Sequence, residues 1–281
     1  MIYKNIVCPV CGVACDDIQV EFGDGKIEAR NACKMGNAKF KEVVSSHRLR
    51  QPLIKAGGKL SPAAWDEALE RAADILVSAK RPLLFMGSET SCEAHEVGLK
   101  IGEYLGAIVD SNATICHGPT AMGIQESGKV GATEGQKKNR ADLLVYWGTN
   151  PLESMPRQMS RYAVFPRGYW TKRGRFDRTV ITVDPRKTPT TEASDLHVQL
   201  KPGSDYELIS ALLTLLHGKT PHPSVEEITG VQISVMEEML DMMKNCNFGA
   251  ISVGLGLSSS IGKHRNAEIA MNLVKELNNY A

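Results

Sequence analysis

A chain of 281 residues can hold one large or two modest domains, and 42% hydrophobic with 23% charged residues is ordinary for a packed soluble fold. A formal net charge of +1 excludes a global field that would gather nucleic acid or anionic lipid. No apolar run approaches the ~20 residues of a membrane span, and the first cysteine arrives before a signal peptide or twin-arginine leader would fit, so a cytoplasmic location is expected, with no nucleic-acid or membrane partner.

Four cysteines fall within the first 33 residues: Cys8, Cys11 and Cys15, spaced Cys-x2-Cys-x3-Cys, and then Cys33. A cubane iron–sulfur cluster is held by four thiolates. Pro9, Gly12 and the small Ala14 suit a short loop that brings three sulfurs to one point, with Cys33 closing the fourth corner. Structural zinc also takes four thiolates, but more often from two separated Cys-x2-Cys knuckles, so the spacing favours a [4Fe-4S] cluster over zinc. Seven cysteines in all, an odd number, weigh against a disulfide framework.

Around these cysteines, residues 18–20 and 26–29 read as two strands of a hairpin turning at Gly23, Asp24 and Gly25. A module of residues 1–52 is too small to bury much and needs its cluster as a staple. Residues 50–53 and the pair Gly57 and Gly58 then read as a connector.

From Ser61 the pattern becomes an alternation of helices and buried strands. Ser61 and Pro62 start a helix by capping logic, with Trp65, Ala68, Leu69, Ala72 and Leu76 on one face. A strand at 83–86, a helix at 93–105 and a strand at 107–110 follow, placing a second lobe at 53–132. A third region, 133–281, carries strands at 142–147, 179–183, 196–200 and 250–253, with helices near 151–165, 205–217, 233–244 and 264–278 between most of them. The alternation predicts an α/β fold with a mostly parallel sheet covered on both faces.

Ligands of open α/β sheets sit beyond the carboxyl ends of the strands, so the residues there carry most weight. Gly148, Asn150, Pro151 and Ser154 follow the 142–147 strand: a glycine for close backbone approach and polar groups at a helix start, which equally serve an ordinary strand-to-helix turn. Asp184, Pro185 and Arg186 follow the next, where an acid can hold a nucleotide ribose or simply make a surface turn. Gly203, Ser204 and Asp205 open the helix at 205–217; Ser204 with Glu207 reads as a capping box and Asp205 suits the helix dipole.

The remaining features carry less. Cys92 and Cys246 read as packed or incidental thiols, and no scattered histidine is assigned on spacing alone. Met236, Met239, Met242 and Met243 sit at helical spacing and read as core. The basic stretch of Arg157, Arg161, Arg167, Lys172, Arg173, Arg175 and Arg178 is a solvated face, or a surface for phosphates or a partner subunit. A lone Cys116 followed by His117, Gly118 and Pro119 is by itself only a loop.

The joint order of these motifs resembles the molybdopterin oxidoreductase family, whose members include formate dehydrogenases: a four-cysteine module, Trp-Gly-x-Asn-Pro at 147–151, Asp-Pro-Arg-x-Thr at 184–188, and Pro-Gly-Ser-Asp at 202–205 heading a leucine-rich helix. Across residues 8–18, 31–34 and 113–119 the chain is similar to the formylmethanofuran dehydrogenase branch of that family, in its tungsten or molybdenum subunit.

The resemblance implies a small N-terminal iron–sulfur module followed by Rossmann-like α/β domains of the formate dehydrogenase and DMSO reductase type. It implies a [4Fe-4S] cluster feeding tungsten or molybdenum bound by two molybdopterin guanine dinucleotides, where carbon dioxide is reduced to formate. Cys116 matches the family's metal ligand, a soft thiolate suited to a high-valent metal, and His117 beside it becomes a candidate proton or substrate partner. Gly148, Asn150, Ser154, Asp184, Gly203 and Asp205 would meet the nucleotide end of the pterin group, and Lys34 would lie between cluster and pterin. Implied partners are an amidohydrolase-like subunit, a small pterin-binding barrel subunit and ferredoxin-like iron–sulfur subunits. A formate dehydrogenase catalytic subunit shares every one of these sites; a cofactor-free structural or electron-relay subunit is the alternative of another class. Family members run on past the region matched by residues 254–258 and the helix after it, so the chain is expected to be a fragment or a shortened variant.

Overall fold

The computed structural model describes residues 1–87 and 90–279. The chain divides into two compact units, Met1–Val10 with Asp16–Thr114, and Cys11–Cys15 with Ile115–Ala281. Among the described residues, no helix is long and apolar enough to cross a membrane.

The first unit opens with an antiparallel sheet in the order β1 (Ile2–Ile6), β2 (Ile18–Gly23), β3 (Lys26–Arg30). Asp24 and Gly25 link β2 to β3 with φ of 50° and 70°, the paired left-handed residues that a tight hairpin turn demands. The expected hairpin is present, and β1 is added to it. The helix Lys34–Glu42 follows.

The residues expected as a connector instead form a second hairpin, β4 (Leu53–Ala56) and β5 (Lys59–Pro62), because Gly57 and Gly58 both take positive φ and turn the chain back on itself. Ser61 and Pro62 are consumed by that hairpin, so they do not cap the next helix. That helix, Trp65–Ser78, starts at Ala64 without a side-chain cap and buries no residue. Helical periodicity marks its apolar face; it does not say that anything covers it. Beyond it, β6 (Leu83–Met86) pairs in parallel with β7 (Ile108–Ser111) through the helix Cys92–Leu105. Ser91 caps that helix by accepting the Ala94 N–H, and Gly106 closes it in the left-handed conformation.

The second unit is built on a four-stranded parallel sheet: β8 (Leu143–Trp147), β9 (Thr179–Val183), β10 (Leu196–Val198) and β11 (Gly249–Val253). The order is β10-β9-β8-β11, so the chain runs outward from β8 on one side and then returns to its other side. Every residue of β8 is buried, and the two faces serve two cores. Leu143, Val145, Trp147, Ile181 and Val183 pack with the helices Asp205–Leu216, Ile233–Lys244 and His264–Asn279. Leu144, Tyr146, Val180 and Ala250 pack with Met159, Ala163 and Val164. Burial on both faces is what a parallel sheet requires, and the fold class expected from the alternation is present. Met236, Met239 and Met243 sit in the first core, with Met242 packed against it.

Three local readings change. The helix expected near 151–165 is two four-residue turns, Pro151–Ser154 and Gln158–Arg161, broken by Pro156. Ser204 and Glu207 make no capping box: the Ser204 hydroxyl donates to the Lys201 carbonyl at 2.7 Å instead. Residues 115–132, read as part of the middle lobe, belong with the second unit, where the helix Gly118–Ser127 lies against His264–Asn279. Gly123 is the point of closest approach: a Cβ there would stand 2.7 Å from the Glu268 nitrogen and 2.9 Å from the Ala267 Cβ.

Candidate functional site

The strand order reverses between β8 and β11, and the carboxyl ends beside such a reversal are the standard ligand position of an open α/β sheet. Here the two strand exits are interlocked. The Gly254 N–H donates to the Trp147 carbonyl at 2.9 Å and the Gly256 N–H to the Gly148 carbonyl at 3.0 Å. Gly148, at φ 59°, has no room for a Cβ, which would lie 2.7 Å from the Leu257 nitrogen; one on Gly254 would lie 2.5 Å from the Gly148 oxygen. Glycine at these positions lets backbone pass against backbone. Gly148 stands out in the sequence; Gly254 and Gly256 are marked there by the family resemblance at 254–258 and by their Gly-x-Gly spacing, neither of which says what they touch.

A chain of buried polar groups fixes the second exit loop. Asp205, 4% exposed, accepts the Trp147 Nε1–H at 2.8 Å on one carboxylate oxygen and the Ser260 hydroxyl at 3.0 Å on the other. Asn266, fully buried, donates through its Nδ2 to the carbonyls of Leu257 and Ile261 and to the Ser260 hydroxyl oxygen. Burial pushes the Asp205 carboxyl above its ordinary range, opposed by the donors it accepts from. Asp205 therefore acts inward, tying the end of β8 to the loop after β11. Ser260 and Asn266 escape a reading of the sequence because their partners are set by where β8 and β11 end.

The same loop holds Cys116. The Ser259 hydroxyl donates to the Ile115 carbonyl, one residue before it, at 2.9 Å. Cys116 is half-buried and His117 exposed, and His117 stands at the N-cap of the helix Gly118–Ser127 without a side-chain cap bond. Asn150 joins a second network at the ends of β8 and β9: its Oδ1 accepts from the Thr190 hydroxyl, its Nδ2 donates to Glu153, and its carbonyl accepts the exposed Ser154 hydroxyl at 3.0 Å. Asp184 is buried at the end of β9, where its Oδ1 accepts the Arg186 N–H at 2.8 Å. Gly203, at φ 85°, abuts the Ile261 side chain. The sheet thus brings Gly148, Asn150, Ser154, Asp184 and Asp205 to its carboxyl edge, with Cys116 tethered through Ser259.

In the first unit, Cys33 caps the helix Lys34–Glu42, its Sγ accepting the Gly36 N–H at 3.4 Å. A Cβ on Gly36 would meet the Cys8 Sγ at 3.2 Å and the Cys33 Sγ at 3.8 Å, so both sulfurs face one bare glycine. Lys34 is exposed on the first turn of that helix. Cys8 and Cys15 are buried; Cys11 and Cys15 belong to the other unit, where the Ala14 N–H donates to the Cys11 carbonyl and Ala14 takes φ 46°. Among the described residues, no three His, Cys, Asp or Glu side chains are gathered as a metal site. Cys92 is exposed, while burial raises the Cys246 thiol, whose Sγ contacts the Met243 carbonyl at 3.2 Å.

The basic stretch is mostly spoken for. Arg175 pairs with Asp195 at 2.7 Å and Arg173 with Asp177. Arg178 is buried and spends all its donors on the carbonyls of Lys138, Ala141, Val164 and Pro166 and on the Thr171 hydroxyl.

Comparison with known proteins follows the same lines. Residues 48–280 match the family model for molybdopterin oxidoreductase. One subunit of the tungsten-containing formylmethanofuran dehydrogenase 2 of Methanocaldococcus jannaschii is 40% identical over 282 residues, covering 99% of this chain and 64% of that protein. The F420-dependent formate dehydrogenase 2 subunit alpha of Methanococcus maripaludis is 30% identical over 234 residues, 75% of this chain and 32% of its own length. Among solved structures, acetylene hydratase from Pelobacter acetylenicus shares the fold at a TM-score of 0.73 and 17% identity, over 97% of this chain and 42% of its own. The chain spans about 64% of the length of the curated relative it matches at 40% identity. On the family match and the switch-point architecture together, this chain belongs to the molybdopterin oxidoreductase family.

Proposed function

We propose that the chain is the metal-pterin subunit of a formylmethanofuran dehydrogenase, reducing carbon dioxide to formate at a tungsten or molybdenum centre with two molybdopterin guanine dinucleotides. Identity of 40% over 99% of the chain favours this reading over a formate dehydrogenase, whose relative is 30% identical over 75%. The observation that carries it is the placement of Cys116: a half-buried cysteine on a loop tied by Ser259 to the exit of β11, beside the strand-order reversal.

The residues present fit the group. Thiolate is the ligand type a high-valent, dithiolene-bound metal takes, and the carboxyl edge of the sheet offers amide, hydroxyl and bare backbone groups at Asn150, Ser154, Gly148 and Gly203 for a nucleotide. When bound, the metal-pterin group supplies two-electron exchange with carbon dioxide or formate. The chain's own part is to hold and orient it: Cys116 as ligand, His117 as an exposed imidazole beside it for a proton or the substrate, and Asp205 as the anchor that keeps both exit loops in register. Asp184, which already closes its own turn, faces the ribose in this reading.

Cys8, Cys11, Cys15 and Cys33 would hold the [4Fe-4S] cluster, within a module of residues 1–52. Supporting this, the Cys33 sulfur caps a helix and accepts an N–H, and Gly36 leaves space beside the Cys8 sulfur. Lys34 would stand between cluster and pterin. Companion subunits of amidohydrolase, pterin-barrel and ferredoxin-like type complete the enzyme in this reading, in the cytoplasm. The test is Cys116→Ala in the assembled enzyme: formate oxidation with a dye acceptor should fall by at least about a hundredfold while the variant's thermal unfolding matches wild type. Unchanged turnover would remove Cys116 from the metal.

A further inference from the structure

The segment joining β8 to β9 crosses to the far end of the sheet and has a feature the catalytic reading does not use. Within twelve residues it exposes four aromatic side chains: Phe165 (47%), Tyr169 (69%), Trp170 (69%) and Phe176 (84%). Scattered exposed aromatics need no explanation, but a cluster on one loop does. The Tyr169 and Trp170 rings meet edge-on with centroids 4.9 Å apart.

Past the turn Gln158–Arg161 the segment lacks regular structure beyond the turn Gly174–Asp177, yet it is held firmly. Arg178 reaches under it and binds four carbonyls and the Thr171 hydroxyl. Gly168 lies so close to the Lys138 carbonyl, and Gly174 to the Phe165 carbonyl, that neither has space for a Cβ. A loop already fixed in this way loses little further entropy on binding.

The Trp170 and Phe176 rings border an open cleft of about 670 Å³ at the amino ends of β8, β9 and β11, the edge opposite the interlocked strand exits. Two acids lie in it, and both are occupied: Asp142 accepts the N–H groups of Asn247 and Phe248, and Asp177 accepts from Arg173. Arg140 lies over the Phe248 ring, 4.9 Å from its centroid, and Arg167 and Lys172 stand exposed on the loop. The surface offers outward-facing aromatic rings with exposed cations beside them.

We propose that this loop is a docking surface for a companion subunit that presents carboxylates around apolar side chains. Rigid Trp, Tyr and Arg are the residue types that dominate interface energetics, and the surplus of cations selects an acidic partner face and speeds its encounter. The inference rests on reading the chain as one subunit of a complex. It assigns the amino edge of the sheet to assembly and leaves the carboxyl edge to chemistry.

The experiment is co-expression of the chain with its companion subunits, purification through the chain, and native mass spectrometry at low and raised salt. Two variants are compared with wild type: Trp170→Asp with Phe176→Asp, and Arg167→Glu with Lys172→Glu, all exposed positions, each checked for wild-type thermal unfolding. The expected result is loss of one companion subunit, about tenfold or more in retention, with the others kept, and weaker retention of that subunit by wild type as salt rises. Full retention by both variants overturns the inference alone; a wild-type chain that retains no companion overturns the inference and the subunit reading together. A homodimer of the chain by itself, abolished by the same substitutions, would assign the surface to a second copy and contradict the acidic partner.

Discussion

Asp205 shows how one residue's role depends on its neighbours. Its carboxylate accepts from Trp147 and Ser260 in a buried site. Asp205→Ala leaves the Trp147 N–H without an acceptor and should cost about 1–3 kcal/mol in chemical unfolding; Asp205→Asn retains an acceptor for it and should cost less. Burial holds the carboxyl above its ordinary range, so the folded state keeps a proton that the unfolded state has released. Stability from this group is present below the usual aspartate range and is lost as pH rises through the raised folded value. The stability difference between wild type and Asp205→Asn, followed by urea unfolding across that window, should shift against wild type with rising pH, and a difference flat in pH would contradict the assignment. The sequence marks Asp205 as important through its place at a helix start after a strand. It gives no sign that the partners are Trp147 and Ser260, since those lie 58 and 55 residues away and meet it only through the strand order.

Elements are legible where hydrophobic runs are long. The strands of the second unit and the helices Asp205–Leu216, Ile233–Lys244 and His264–Asn279 follow from apolar periodicity, to within a few residues at their ends. The helix Gly118–Ser127 does not, because two glycines and a proline hide its pattern; tertiary packing makes it. That packing supplies a prediction. Gly123→Leu must push the helix off the Glu268 backbone, at a cost of about 1–3 kcal/mol read by thermal unfolding. Because Cys116 lies just before this helix, the same variant should also lose its heavy metal on gel filtration; full stability with full metal content would show that the helix contact does not seat the loop. Arg178→Met probes the loop between β8 and β9: it takes the guanidinium from the carbonyls of Ala141, Val164 and Pro166, while the Lys138 carbonyl keeps the Thr171 hydroxyl, and should cost about 3 kcal/mol or more, with protease cutting the 163–178 segment first.

At the scale of the whole molecule, the parallel sheet with its strand-order reversal ties family, fold and site together. The exposed apolar side chains of the helix Trp65–Ser78, with Trp65 at 70% and Leu69 at 60%, mark the first unit as the part least explained by its own packing. Composition and spacing carry the four cysteines and the α/β class, and the family resemblance carries Cys116. The interlock of Gly148 with Gly254 and Gly256 comes only from three dimensions, since no local pattern tells which two strand exits will touch. The proposed function is that these exits hold a metal-pterin group fed by an iron–sulfur cluster. It is tested most directly by elemental and pterin analysis of the anaerobically purified, assembled enzyme. The account predicts iron at four or more atoms per chain, one tungsten or molybdenum, and two pterin guanine dinucleotides; zinc alone, with no heavy metal and no extractable pterin, would contradict it.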